Sequence, residues 1–378
     1  MSIAQHPKNQ IRRRIILLLI LLCVIFLGFY LYKVVFQEHK KSRRGLMLPK
    51  RDLLTLIPFD SLPQKFLLRK TATIQDLMPP AGDQLDQGSC AAFTIAYYLV
   101  SYYEKRRGGY SYDVVNNIPN YSKIFSPSFV FNSIKNEAQS TDCNTGVDYT
   151  DIFPFVNTHG ICKWSDFPYT GNLNQCSKPP TNSENDLAKQ YLGYRFFQID
   201  RSLSTCQTYL SAGIPLIVGL WSSKNMDLDG YAHKNDLVPF YWTPQSTDID
   251  DYHAMLCVGY DNANFILLNS WGIDWGVKGY CYVPYAIFFD RLRELYIAKI
   301  DRPQSLINTN KVKDKAFDLL LNTFVNDTNY TKARQKVLDV KLDSLYQNDL
   351  TILQHTQNRT PNQEIILKQL VQYFERKK

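Results

Sequence analysis

Three textures of apolar and polar positions follow one another along the chain. Residues Ile15 to Tyr32, IILLLILLCVIFLGFYLY, run for 18 positions without a charge. The run is apolar on every helical face and long enough to cross a bilayer. Arg12, Arg13 and Arg14 precede it, and Lys33, Lys40, Lys41, Arg43 and Arg44 follow. No A-x-A cleavage site is evident, which predicts a retained signal anchor over a cleaved signal. From about residue 62 to 300 the pattern mixes continuous apolar runs (IPLIVGLW, HAMLCVGY, FILLNSW), expected as buried strands, with helical stretches such as AAFTIAYYLVSYYE. That mixture is α+β in character. Beyond residue 301 Gly and Trp vanish, and AFDLLLNTFV, KVLDVKLDSLYQNDLTIL and EIILKQLVQYF predict three helices. Leu338, Leu342, Leu345 and Ile352 share one face of the second. Thr360-Pro361-Asn362-Gln363 has the residues of a capped helix start.

The domains expected are therefore a basic segment (1–14), a transmembrane signal anchor (15–32), a linker (33–61), a folded body (62–300) and a C-terminal helical extension (301–378). Composition supports a large core, with 45% apolar and 13% aromatic residues. The net charge of +8 belongs to the N-terminal end. Residues 1–51 hold 11 Lys/Arg against one Glu, which leaves 32 against 34 in the remainder. No basic face of the body offers a nucleic-acid partner a footprint. The six histidines lack zinc-binding spacings, so neither a metal nor another cofactor is expected. Cys143, Cys162 and Cys176 crowd together and suit a disulfide in an oxidising compartment, their pairing left open.

Candidate chemistry centres on GDQLDQGSCAAF, Gly82 to Phe93. Cys90 opens the apolar helix, where the helix dipole favours thiolate over thiol. A base is available in DDYHAMLCVGYD, where His253 starts a strand-like run, followed by NSWGIDWGVKGY, Asn269 to Tyr280. Asn269 can accept the imidazole N–H and fix the ring, and Trp271 can cover that bond. An aromatic hairpin packed for stability would leave the joint presence of Cys, His and Asn unexplained.

On these motifs the chain resembles the papain-like cysteine proteases over about residues 62–300. NSWGIDWGVKGY matches that family's asparagine motif, with His253 and Asn269 at its spacing. LPQKFLLR (Leu62–Arg69) resembles the start of the mature domain, MPPAGDQ (Met78–Gln84) the lead-in to the oxyanion glutamine, DCNTG (Asp142–Gly146) the cleft loop and FPY (Phe167–Tyr169) a further landmark. The resemblance implies a two-subdomain fold, helical around Cys90 and β-rich around His253 and Asn269. It further implies Cys90 as nucleophile, His253 as base, and Gln84, six residues before Cys90, as the oxyanion donor instead of Gln87. Gly146 and Trp271 are implied on the substrate side. The activity implied is hydrolysis of protein or peptide substrates, from a body held at a membrane by Ile15–Tyr32, on its extracytoplasmic side. A cysteine acyl transferase and a non-enzymatic binding protein are the alternatives; product analysis with an added amine and titration of Cys90 would separate them.

The departures are Ala91 where an aromatic is usual, Tyr252 where Asp is common, and Gln87 where the partner of Cys143 would stand. Residues 33–61 are too short for the family's inhibitory prodomain, so no latency device is expected there. About Arg106 to Pro127 resembles an insertion.

Overall fold

The computed structural model describes residue 17 and residues 45–60, 68–234, 236–300 and 328–376. Leu17 is helical, and the rest of Ile15–Tyr32 lies outside the described residues. Among the described residues no helix is long and apolar enough to cross a membrane.

The helices packed around Cys90 precede most of the sheet in the sequence. Between Cys90 and His159 the chain is helical, with Cys90–Ala92 continuing as the π-helical Phe93–Val100 and then Ser101–Gly108. Pro127–Glu137 and Tyr149–His159 complete this layer. Phe93 to Tyr103 is buried without interruption, as the apolar run requires. The helix ends at Gly109, whose φ of +62° lets its N–H cap the Lys105 carbonyl. The segment expected as an insertion, about 106–127, includes a turn in which Val115 and Ile118 exchange backbone hydrogen bonds.

The β layer is one antiparallel sheet. Its strands are β1 (Ala72–Thr73), β2 (Tyr194–Gln198), β3 (Leu216–Ser222), β4 (Asp251–Tyr260), β5 (Asn264–Leu268), β6 (Tyr280–Pro284) and β7 (Leu292–Ile300). They are ordered β2-β7-β3-β4-β5-β6, with β1 pairing to β4. β3 and β7 are buried along their whole length, matching the continuous apolar runs. A register shift between Cys257 and Gly259 bends β4 against β5.

The C-terminal region contains two described helices, Thr328–His355 and Pro361–Glu375; AFDLLLNTFV lies outside the described residues. Thr360 and Gln363 form the expected capping box. The buried face of the first helix is Leu342, Tyr346, Asp349, Leu350 and Leu353, with Leu345 and Ile352 half-buried. Its centre is an ion pair. Arg293 of β7 donates from Nε to Asp349 Oδ2 and from Nη2 to Asp349 Oδ1, both at 2.7 Å. Trp221 Nε1 donates to Asp349 Oδ2, also at 2.7 Å. The helices therefore brace the sheet through a fully buried charged contact.

Candidate active site

Cys90 begins its helix with no exposed surface. His253 is the third residue of β4, and Asn269 follows the end of β5. The pairing of β4 with β5 brings the two side chains together, with His253 Nε2 and Asn269 Oδ1 2.7 Å apart. Trp271 lies against the imidazole at a centroid distance of 4.7 Å and meets Trp275 edge-on at 5.5 Å. Trp271 is 1% exposed and packs on the ring that makes the His–Asn contact. The N–H of Ala254, next to His253, lies near enough to the Cys90 sulfur to favour its charged form, so the nucleophile's helix start adjoins the histidine strand.

Gln84 reaches the same place by a different route. Gly272 N donates to Gly82 O at 2.9 Å and Gln84 N to Ser270 O at 2.8 Å, so the glutamine loop runs antiparallel to the Asn269 segment. Ser270 Oγ donates to Gln84 Oε1 at 2.6 Å, and Gln84 Nε2 donates to the Gln87 carbonyl at 2.9 Å. Tyr169, the end of the FPY landmark, donates to Gln84 O at 2.5 Å. Gln87 instead points away, its Nε2 donating to Asn172 O at 2.6 Å. The disulfide is Cys143–Cys176, so Cys143 finds its partner within the cysteine cluster, and Cys162 is a free thiol.

The segment expected as a plain linker holds a component that the sequence reading missed. Gly45 to Leu48 lies across the site. Leu46 N donates to Tyr252 O at 3.2 Å and Met47 N to Val147 O at 3.4 Å, and Leu46 pairs in parallel with Val147. Gly45 is pressed between two other glycines. A Cβ on Gly45 would stand 2.3 Å from Gly88 Cα, and one on Gly146 would stand 1.0 Å from Gly45 O. Gly146 thus contacts an extended peptide backbone, which here is the chain's own. The Gly45 N–H lies near enough to the Cys90 sulfur to favour its charged form, so the strap lies over the buried thiol.

Burial pushes the Cys90 thiol up to about 12, opposed in part by the Ala254 and Gly45 N–H groups, with the charge of Asp251 adding to the rise. In the covered site burial is the largest influence on the thiol, and it works against the thiolate expected from the helix start.

Leu46 is 3% exposed. Its side chain lies against Gly219, where the Tyr252 hydroxyl and the Glu294 carboxylate also meet. Tyr252 donates to Glu294 Oε2 at 2.7 Å and Tyr296 to Oε1 at 2.8 Å. Burial pushes Glu294 up to about 8, against the two phenols that lower it. A carboxyl raised on folding stabilises the fold fully below its ordinary range and loses that contribution as pH rises through about 8. The melting temperature should therefore fall between pH 5 and pH 8, and Glu294→Gln should flatten that part of the profile; an unchanged slope would contradict it.

Among the described residues no group of His, Cys, Asp and Glu is placed to hold a metal ion.

Residues 62–287 match the family model described as papain family cysteine protease. An uncharacterised peptidase C1-like protein of Acanthamoeba polyphaga mimivirus is 26% identical over 60% of this chain and 70% of its own length. Cathepsin K of Gallus gallus is 28% identical over 53% of this chain, and the match spans about half (54%) of its length. Among solved structures, xylellain, a cysteine protease from Xylella fastidiosa, superposes with a TM-score of 0.56 at 22% identity, covering 70% of this chain and 99% of that one. The last comparison shows the α+β fold, while the family match covers more than half of the sequence: this chain belongs to the papain family of cysteine proteases.

Proposed function

We propose that the protein is a cysteine endopeptidase acting on protein or peptide substrates, tethered to a membrane by Ile15–Tyr32 with its body on the extracytoplasmic side. The observation that carries the catalytic part is the 2.7 Å His253–Asn269 contact under Trp271, beside the helix start of Cys90. With Nε2 engaged by Asn269, His253 Nδ1 takes the thiol proton. The Cys90 thiolate adds to the scissile carbonyl carbon, and the electron pair moves to its oxygen. Gln84 and the Cys90 backbone N–H stabilise that oxyanion. Its collapse expels the amine, which takes the proton from His253 and leaves an acyl thioester on Cys90. Water, deprotonated by His253, then hydrolyses the thioester. Gly146 supplies backbone contact to the extended substrate, as it now does to Gly45. The mechanism calls for no metal or organic cofactor. The tether rests on the 18-residue uncharged run and its basic flanks, and the extracytoplasmic side on the disulfide.

Titration with an epoxide thiol reagent, with the strap displaced from Cys90, tests the catalytic part. Stoichiometric labelling of Cys90 together with loss of peptide hydrolysis supports it; hydrolysis that survives full labelling of Cys90 refutes it. Transfer of the acyl group to an added amine in preference to water would favour the acyl transferase. Gln84→Ala should lower kcat by on the order of 100-fold. Gln87→Ala should act through stability, since its amide serves Asn172. The reverse order of rates would exchange their roles.

A further inference from the structure

The strap continues from the cleft to the C-terminal helices. Leu48 N donates to Gln369 Oε1 of the second tail helix at 3.4 Å. Leu54, closing the helical turn Arg51–Leu54, lines a small buried cavity together with Leu342 of the first. Between these points Lys50 Nζ bonds Asp151 Oδ1 at 2.5 Å. The same tail grips the strand on which the strap lies. Thr360 Oγ1 donates to Asp250 Oδ1 at 3.1 Å, and Gln363 Nε2 to Ile249 O at 2.6 Å. These two residues lead directly into β4, where Tyr252 O accepts the Leu46 N–H and His253 follows.

We propose that the C-terminal helices are a latch that holds residues 45–48 in the cleft. The peptidase stays closed while Pro361–Glu375 is docked, and undocking that helix opens it. Among the contacts the strap makes with the body are two backbone hydrogen bonds, the Leu46 side chain and the glycine stack. Leu48, 8% exposed, is covered and hydrogen-bonded with the tail in place. Removing the tail takes away that hydrogen bond and so shifts the strap toward its open state. The proposal rests on the peptidase reading for its consequence, but the opening itself can be read at the Cys90 thiol without any turnover.

The test uses the full chain in detergent and two readouts: the alkylation rate of Cys90 by an epoxide, and peptide turnover per labelled site. Leu46→Asp places a carboxylate beside Glu294 in a buried pocket, and alkylation should rise by on the order of 100-fold. Gln369→Ala removes one hydrogen bond and should raise it by about 2- to 10-fold. Deleting residues 361–378 should approach the Leu46→Asp rate and add nothing to it in combination. If Leu46→Asp opens the site while Gln369→Ala and the truncation leave alkylation unchanged, the latch is wrong and the peptidase reading stands. If alkylation rises in all three and no peptide is hydrolysed, the latch stands and the peptidase reading fails. If Leu46→Asp leaves alkylation unchanged, the strap is not the cover and the latch is overturned. A truncated chain that fails to fold leaves the decision with Gln369→Ala, whose small polar change spares the helix cap.

Discussion

Turnover by the strap-released enzyme should fall by about four to six orders of magnitude when His253 is replaced by alanine. The histidine performs two transfers in the proposed cycle, taking the Cys90 proton and returning it to the leaving amine. Alanine removes both, together with the imidazolium that stabilises the thiolate. Cys90→Ala should cost about as much, and the double variant no more than either single one, because the two residues act as a unit. Alkylation provides a second reading that does not depend on substrate. In the open wild-type site the Cys90–His253 pair should react at mildly acidic pH, and His253→Ala should shift that reactivity toward the alkaline range of an ordinary thiol. Stability should change far less than activity. The alanine leaves Asn269 Oδ1 still accepting the Ser270 N–H at 2.8 Å, and Trp271 still packed on Trp275. Turnover within tenfold of the parent would remove His253 from the mechanism.

The site was legible where chemistry and spacing travel together. Cys90, His253 and Asn269 stand in motifs whose neighbours have evident purposes: an apolar helix to orient the thiol, a strand to carry the base, a tryptophan to cover the bond. The strands were legible because β3 and β4 are buried on both faces, which turns an alternating pattern into a continuous apolar run. The strap was hidden for the opposite reason. Gly-Leu-Met-Leu, residues 45–48, is four residues in a basic linker. A segment that docks by backbone hydrogen bonds and glycine contacts leaves almost no periodic signal. The apolar island between Arg44 and Lys50 was the one available clue. The pairing of Cys143 with Cys176 was equally closed to sequence, since three cysteines within 34 residues allow three pairs. The thiol's surroundings were equally out of reach: a helix start is a local property, whereas the cover on Cys90 includes a strap 45 residues earlier in the chain.

Asp349 marks the limit of pattern reading in the tail. Hydrophobic spacing predicted the helix and part of its face, but an aspartate at the centre of that face counts against burial in any apolar tally. It is buried because Arg293 and Trp221 are waiting for it, residues 56 and 128 positions away. Replacing Asp349 by alanine should therefore be the most destabilising single change in the extension, at about 3–5 kcal/mol. The loss exceeds that of one hydrogen bond because the Arg293 guanidinium, 4% exposed, would keep its charge in a site with no carboxylate and little water. Trp221 Nε1 would lose its acceptor as well. An exposed pair gives the contrast: Lys189 and Asp186, 61% and 72% exposed, are 2.8 Å apart, and Asp186→Ala should change stability by no more than about 0.5 kcal/mol. Denaturant midpoints of the two variants would show the difference directly. Removing both charges should recover most of what one costs, so Asp349→Leu with Arg293→Met should lie closer to the parent than Asp349→Ala does. Equal losses in the single and double variants would mean that the helix is held by its apolar face alone. Because Asp349 anchors the first of the two latch helices, Asp349→Ala should also speed alkylation of Cys90 under conditions where the body remains folded. A variant whose tail loosens while the thiol stays covered would separate the brace from the latch.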